Sequence, residues 1–318
     1  MQKIKNKKNI KIAFFGTSNK SKPILEALYK NFDLVLCVTK TNRIVGRNKE
    51  EQETVVKRWA NENGIKVFEI ETMKKSWEAL LKELIRNEVD LIIVADFGFI
   101  ITTEILENFK NKVINVHFSL LPKYRGANPV QAAILNGDTK TGITFLQMVK
   151  ELDAGDIIYQ IPYSLLGTET SGELYEKLFL LAANNLADVI VNYLDGKLAP
   201  QPQNHEKATF YYSPSHPKST YIYKEDAKIN WAESPQEIEQ KIRAFNPWPI
   251  AWTTLEDLEK TNICNLKSTV NKSLVLKIYS AQIKEGKLEP MEVQVEGKNK
   301  TNWKSFLNGY CVPKNKKE

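Results

Sequence analysis

Short apolar runs alternate with amphipathic stretches over the first 193 residues. Residues 10–15, 34–39 and 91–95 are apolar runs of strand length, and 66–68 reads as a shorter strand. The run Leu91-Ile-Ile-Val-Ala95 has no polar position, as in a strand buried on both faces of a parallel sheet. Between these runs the spacing shifts to a helical period. It predicts helices over 23–29, with Pro23 near the first turn, over 54–63, stopped by Gly64, and over 75–86. Residues 113–118 and 157–163 read as further strands, and 174–193 as a long helix with Leu174, Leu178 and Leu181 on one stripe. Strands alternating with helices predict an α/β fold, a doubly wound Rossmann-like domain over residues 1–193.

The pattern changes after that helix. Residues 194–221 turn to Pro, Gln, Asn, His and Ser and read as a linker, in which His205 and His216 are expected to be solvent-exposed. Beyond it a helix is expected over 235–244, and Asn246-Pro247-Trp248-Pro249 reads as a rigid packed corner. Short strand-like runs at 250–255, 273–278 and 291–295, punctuated by Gly286, Gly297 and Gly309, predict a small OB-like β-barrel domain over 222–318.

Composition narrows the class. The three cysteines, Cys37, Cys264 and Cys311, are scattered, without a Cys-x-x-Cys, which fits a reducing cytoplasm and argues against zinc. No apolar run approaches the length of a membrane span. Residues 1–9 carry four lysines but no apolar segment, and so read as neither a secretory signal nor a transit peptide. The formal charge of +7 permits a polyanionic partner, yet only six of the 45 basic residues are Arg, which makes most lysines a solvated face. After the first strand comes Gly16-Thr17-Ser18; one glycine there lacks the Gly-x-Gly-x-x-Gly dinucleotide fingerprint, and NAD is not expected.

The chemistry concentrates between Val113 and Gln160. Asn115 and His117 lie two apart on an otherwise apolar strand and therefore on one face, at the C-terminal end where open α/β sheets bind ligands. Both can donate to an oxygen that becomes negative during attack on a carbonyl carbon. A carboxylate beside them can orient the imidazole, raise its pKa, or take a proton through water. No Ser or Cys lies in a nucleophile-elbow context, so the pattern suits a carbonyl-activating site whose nucleophile arrives with the substrate. Spacing alone also allows Asn115 and His117 to be a satisfied structural pair.

The run Asn115-Val-His117-Phe-Ser119-Leu120-Leu121-Pro122-Lys-Tyr-Arg125-Gly126-Ala-Asn128-Pro129, followed by Leu152-Asp153-Ala-Gly155-Asp156, resembles the folate-dependent formyltransferases. The resemblance implies that Asn115, His117 and Asp153 are the catalytic trio. It implies 10-formyltetrahydrofolate as formyl donor, without metal, held by Ser119, Leu120, Leu121, Pro122, Asp156 and the loop Asp96-Phe97-Gly98. The usual residue before that glycine is Tyr, where this chain has Phe97. Lys40-Thr-Asn-Arg43-Ile-Val-Gly46-Arg47-Asn-Lys49 is similar to the insertion with which the branch acting on methionyl-tRNA grips an acceptor stem, although its two prolines and its Asp are missing here. By that resemblance Lys40, Arg43, Arg47 and Lys49 contact tRNA, and the partner is initiator methionyl-tRNA; a cytoplasmic monomer is the expectation. Arg243-Ala-Phe-Asn246-Pro247-Trp248-Pro249 is similar to the entry of the same branch's C-terminal domain.

Two other readings stay open. A formyltransferase acting on a small amine, either glycinamide ribonucleotide or an amino-sugar nucleotide, would share the trio but need no tRNA loop. An RNA-binding protein with an inactive formyltransferase core would have no use for the three residues together.

Overall fold

The computed structural model describes residues 9–45, 50–261 and 263–312. They form two compact units. The first takes the described residues up to Gly126, with Thr141–Tyr163 and Tyr175–Thr209. The second takes Ala127–Lys140, Ser164–Leu174 and the described residues from Phe210 on.

The chain opens with β1 (Lys11–Phe15), α1 (Lys22–Asn31) and β2 (Asp33–Lys40). A short hairpin of β3 (Arg43–Val45) and β4 (Glu50–Gln52) follows, then α2 (Val55–Glu62), β5 (Lys66–Ile70), α3 (Met73–Arg86) and β6 (Leu91–Ala95). Next come α4 (Thr103–Asn108), β7 (Val113–His117), α5 (Pro129–Leu135), β8 (Lys140–Gln147), β9 (Ile157–Ser164) and α6 (Ser171–Leu194). The seven-stranded sheet runs β5-β2-β1-β6-β7-β8-β9. Pairing is parallel from β5 through β7, and β8 returns antiparallel to β7. This is the doubly wound sheet that the alternating pattern predicts.

Every residue of β6 is buried, because it lies at the centre with cover on both faces. Phe15, Leu36, Val38, Ile92 and Val94 pack there with Leu80, Leu84 and Ile105 from the helices. The Thr54 hydroxyl caps α2 by accepting from the Lys57 amide.

Three local expectations are corrected in this region. The stretch 40–53 shows no apolar periodicity and reads from sequence as a loop, yet it carries the β3–β4 hairpin in the register Arg43↔Gln52 to Val45↔Glu50. Pro122, Gly126 and Pro129 read from sequence as holding an ordered loop rather than a helix; residues 122–128 form that loop, but Pro129 starts α5, where a proline in the first turn suits a helix. Residues 194–209, expected as linker, pack within the first unit: Gln201 pairs with Ile157 through two 2.8 Å backbone bonds.

In the second unit α7 (Pro235–Ala244), β10 (Ala251–Thr254), α8 (Leu255–Glu259), β11 (Val275–Lys284), β12 (Lys287–Val295), β13 (Thr301–Asn302) and α9 (Trp303–Tyr310) follow in order. The four strands make an antiparallel sheet, β10-β11-β12-β13. The small antiparallel β-domain is therefore present, as a helix-flanked sheet. Its core joins Ile238 and Ile242 of α7 to Leu276, Ile278, Val293 and Phe306. A capping box between Ser234 and Glu237 starts α7. Cys264 and Cys311, expected as scattered thiols, form a disulfide; the bridge between Leu266 and Cys311 brings them together across 47 residues of sequence. Trp248, expected to be packed, is 54 % exposed. Among the described residues no helix is long and apolar enough to cross a membrane.

Candidate active site

β7 presents Asn115 and His117 on the same face, as the period of two requires. Its neighbours fix the surroundings: Asn115 stands opposite Val94 of β6 and Leu146 of β8, and His117 opposite Thr144 of β8. The third residue arrives from the turn between β8 and β9. Asp153 lies there in a left-handed conformation, φ 48°, which a non-glycine residue rarely adopts. Gly155 lets that turn sit against β8, since a Cβ there would come 1.8 Å from the Gln147 carbonyl oxygen.

The three side chains meet. The Asn115 amide donates to Asp153 Oδ1 at 3.3 Å. The Gly126 backbone N–H donates to Asp153 Oδ2 at 2.8 Å. His117 Nδ1 faces the same Oδ2 at 3.6 Å, with side-chain exposures of 6 % and 10 %. On its far side His117 Nε2 lies 2.9 Å from the Tyr124 carbonyl oxygen. A carbonyl only accepts, so Nε2 carries a proton. Nδ1 is then the ring nitrogen turned toward Asp153. Tyr124, like Asp153, has a left-handed backbone, φ 59°.

The expected donor-binding residues divide into two groups. Ser119 is fully buried, and its hydroxyl donates to the Lys123 carbonyl oxygen at 2.6 Å. Thr144 Oγ1 donates to the Ser119 carbonyl oxygen and accepts from the Leu121 N–H, and Gln160 donates to the Leu121 carbonyl oxygen. Ser119 and Leu121 thus hold the loop, while Leu120 and Pro122 remain half-buried. Asp156 is half-buried, and its carbonyl oxygen accepts from the Gln147 N–H.

The second group follows β6. The β6–β7 register ends at Ala95 opposite Val116, and Asp96 follows with a left-handed backbone, φ 49°, at the C-terminal ends of the parallel strands, where Thr17 follows β1 and Lys40 ends β2. Thr17 fastens this loop: its hydroxyl donates to the Asp96 carbonyl oxygen and accepts from the Gly98 N–H. Phe97 packs on Phe15 and Phe99 at ring separations of 5.2 and 5.3 Å. Asp96 is solvent-exposed at the edge, yet protein packed around its carboxyl raises its pKa; the Ser18 hydrogen bond and nearby Lys40 and Lys20 oppose this. Burial lowers the Lys20 pKa and raises that of Tyr175, over whose ring Lys20 lies at 5.5 Å.

Of the expected tRNA residues, Lys40 ends β2 and the Arg43 backbone opens β3. Arg47 and Lys49 lie outside the described residues. Cys37 is buried, with its thiol pKa pushed up to about 12, so it offers no thiolate nucleophile.

The family's models match on either side of residues 191–220. The formyl transferase model covers residues 10–190, and the formyl transferase C-terminal domain model covers 221–311. The chain belongs to the formyltransferase family. This formyltransferase is 39 % identical over 291 residues to methionyl-tRNA formyltransferase of Streptococcus pyogenes serotype M28 (strain MGAS6180), spanning 91 % of this chain and 85 % of that one. Solved structures share its fold. The N-formyltransferase from Helicobacter canadensis, in complex with folinic acid and dTDP-3-aminofucose, aligns at a TM-score of 0.60 and 21 % identity, covering 95 % of this chain and 97 % of the other. Methionyl-tRNA formyltransferase from Clostridium thermocellum aligns at 0.55 and 20 % identity, covering 91 % and 98 %. The family uses a folate-derived formyl donor.

Nothing in the sequence marks Tyr124, whose carbonyl fixes the imidazole, Gly126, whose N–H holds the carboxylate, or Gln203 behind them. The only local signal was the Arg125-Gly126 pair between two prolines, which reads as a turn.

Proposed function

We propose that this formyltransferase transfers the formyl group of 10-formyltetrahydrofolate to the α-amine of methionine on initiator methionyl-tRNA. The observation that carries the chemistry is the closed set of contacts among Asn115, His117, Asp153 and the Gly126 N–H. The acceptor follows from the 39 % identity to a methionyl-tRNA formyltransferase across both units.

In this reading the neutral amine attacks the formyl carbon, and a C–N bond forms as the carbonyl becomes an oxyanion. Asn115 Nδ2 and His117 Nδ1–H donate to that oxygen. The Asp153 carboxylate keeps His117 in its donating form and relays the amine proton toward N10 of the folate. The bond from the formyl carbon to N10 then breaks, leaving tetrahydrofolate and formylated methionyl-tRNA. Backbone groups of Ser119–Pro122 and Asp96–Gly98, with Asp156, line the donor pocket; Lys40, Arg43, Arg47 and Lys49 guide the tRNA acceptor end. The catalytic part spans residues 1–193 and the tRNA-binding part 222–318, in a cytoplasmic monomer.

The test offers the purified protein 10-formyltetrahydrofolate with charged initiator tRNA, glycinamide ribonucleotide or an amino-sugar nucleotide. Formylation of the methionyl ester is expected. Formylation of only a small amine, or of none of the three, would overturn the reading.

A further inference from the structure

Behind the site, residues 201–209 form a strap that touches no substrate in the reading above but holds the two loops that complete the trio. The strap begins at the bridge between Gln201 and Ile157. Two residues later Gln203 is 5 % exposed, and all four hydrogen-bonding positions of its amide are taken. Its Nε2 donates to the Asp153 carbonyl oxygen at 2.8 Å and to the Gly155 carbonyl oxygen at 2.7 Å. Its Oε1 accepts from Arg125 Nη2 at 2.7 Å and Nε at 3.3 Å. Arg125 is itself 6 % exposed, and Nη2 also lies 3.1 Å from His205 Nδ1.

The strap's end grips the other loop. The Thr209 carbonyl oxygen accepts from the Arg125 N–H at 2.8 Å, and Thr209 Oγ1 accepts from the Tyr124 N–H at 3.0 Å. Tyr124 and Asp153 are the two residues whose left-handed backbones aim the His117 acceptor and the carboxylate. Such a conformation costs a non-glycine residue roughly 1 kcal/mol or more, and persists where surrounding bonds over-determine it. Gln203 supplies those bonds at Asp153, and Thr209 supplies them at Tyr124.

We infer that Gln203, braced by Arg125, is a positioning residue for the formyl transfer, acting through Asp153. The inference rests on the formyl-transfer reading. Gln203→Met keeps the side-chain length and removes both donors. The Asp153–Gly155 turn then loses two bonds to its carbonyls, and the carboxylate drifts from His117. Misplacement of a catalytic group by about 1 Å lowers rate by about 10². The expected result is a kcat reduced at least about 30-fold, with the KM of the donor within about twofold of wild type.

A double-mutant cycle separates positioning from general support. Single-turnover transfer is measured for wild type, Gln203→Met, Asp153→Ala and the double variant, with melting curves for each. If Gln203 acts through Asp153, its substitution lowers rate less than about twofold once Asp153 is Ala. An equal fold-loss in both backgrounds would overturn the inference, as would an unchanged kcat. If Gln203→Met does not fold, Gln203→Asn, one methylene too short to span Asp153 and Arg125, takes its place in the same cycle with the same outcomes. A wild-type protein that forms no formylated product would instead sink the underlying reading, so the two failures are distinguishable.

Discussion

Replacing Asp153 by Asn keeps the shape of the side chain and removes its charge. The carboxylate Oδ2 lies 3.6 Å from His117 Nδ1, and both side chains are nearly buried. At an effective dielectric of about 20, two unit charges at that distance interact by about 4–5 kcal/mol. At about 1.4 kcal/mol per factor of ten, this sets a ceiling near 10³ on the rate that the charge supplies. Hydrogen bonding sharpens the expectation. Oδ2 accepts from the Gly126 N–H and Oδ1 from the Asn115 amide. An Asn at 153 has one acceptor: if its oxygen serves Gly126, its NH₂ meets the Asn115 NH₂, and Asn115 must turn its carbonyl inward. That rotation takes an oxyanion donor out of line. The expected loss in kcat is about 10²–10³, with the donor KM within about twofold. Initial rates of N-formylmethionine release from tRNA after ester hydrolysis, measured against donor concentration, read both quantities. A variant with near wild-type kcat refutes the electrostatic role, and a change confined to KM moves Asp153 from the chemistry to the donor pocket.

Asn115→Ala and His117→Ala should each lower kcat by about 10²–10³ while thermal unfolding keeps its cooperativity; turnover near wild type would remove that residue from oxyanion stabilisation. Arg43→Ala and Arg47→Ala should raise the KM for tRNA and reduce the slope of log KM against log salt by about one each, with donor KM unchanged, and identical slopes would return the stretch 40–53 to a solvated surface. Asp226 should make the second unit acid-labile: burial opposes its charge, but donors from Ser215, Tyr223 and Ser213 outweigh this and hold its pKa below the usual value. Because the folded pKa is the lower one, the stabilisation is fully present above the unfolded carboxylate pKa of about 3.9 and disappears as pH falls through the folded value. Asp226→Asn should therefore flatten the fall in melting temperature below about pH 4, and an unchanged acid limb would count against it.

The parts of the fold legible in the sequence were those encoded by local period. β6 and β7 could be read because each is a short apolar run, and Asn115 and His117 interrupt β7 at a spacing that puts them on one face. β8 is not legible in the sequence, although six of its residues are buried, because Thr141, Gly142 and Thr144 break its apolar pattern. Thr144 stays polar inside the sheet because its hydroxyl has partners on the Ser119 loop and on Gln160, none of them close in sequence. The helix α5 was hidden by Asn128-Pro129, which suits a turn as well as a helix start. The Cys264–Cys311 pairing depends on how α9 returns to the sheet, and spacing carries no trace of that.

The site divides along the same line. The groups expected to face the reacting carbonyl sit in compact runs and could be named from sequence. The groups that aim them are backbone atoms or distant amides. Tyr124 contributes a carbonyl oxygen and Gly126 an N–H, which any residue possesses, so side-chain identity could not mark them. What selects them is backbone conformation, and two of the decisive residues are left-handed without being glycine. Such positions are stable only when long-range bonds hold them, and here those bonds arrive from Gln203 and Thr209, 50 and 85 residues away in sequence. A polar stretch such as 194–209 looks like a linker because its residues do not bury apolar surface. Within the first unit it hydrogen-bonds backbone groups of the Asp153 and Tyr124 turns, a role for which polarity is the requirement.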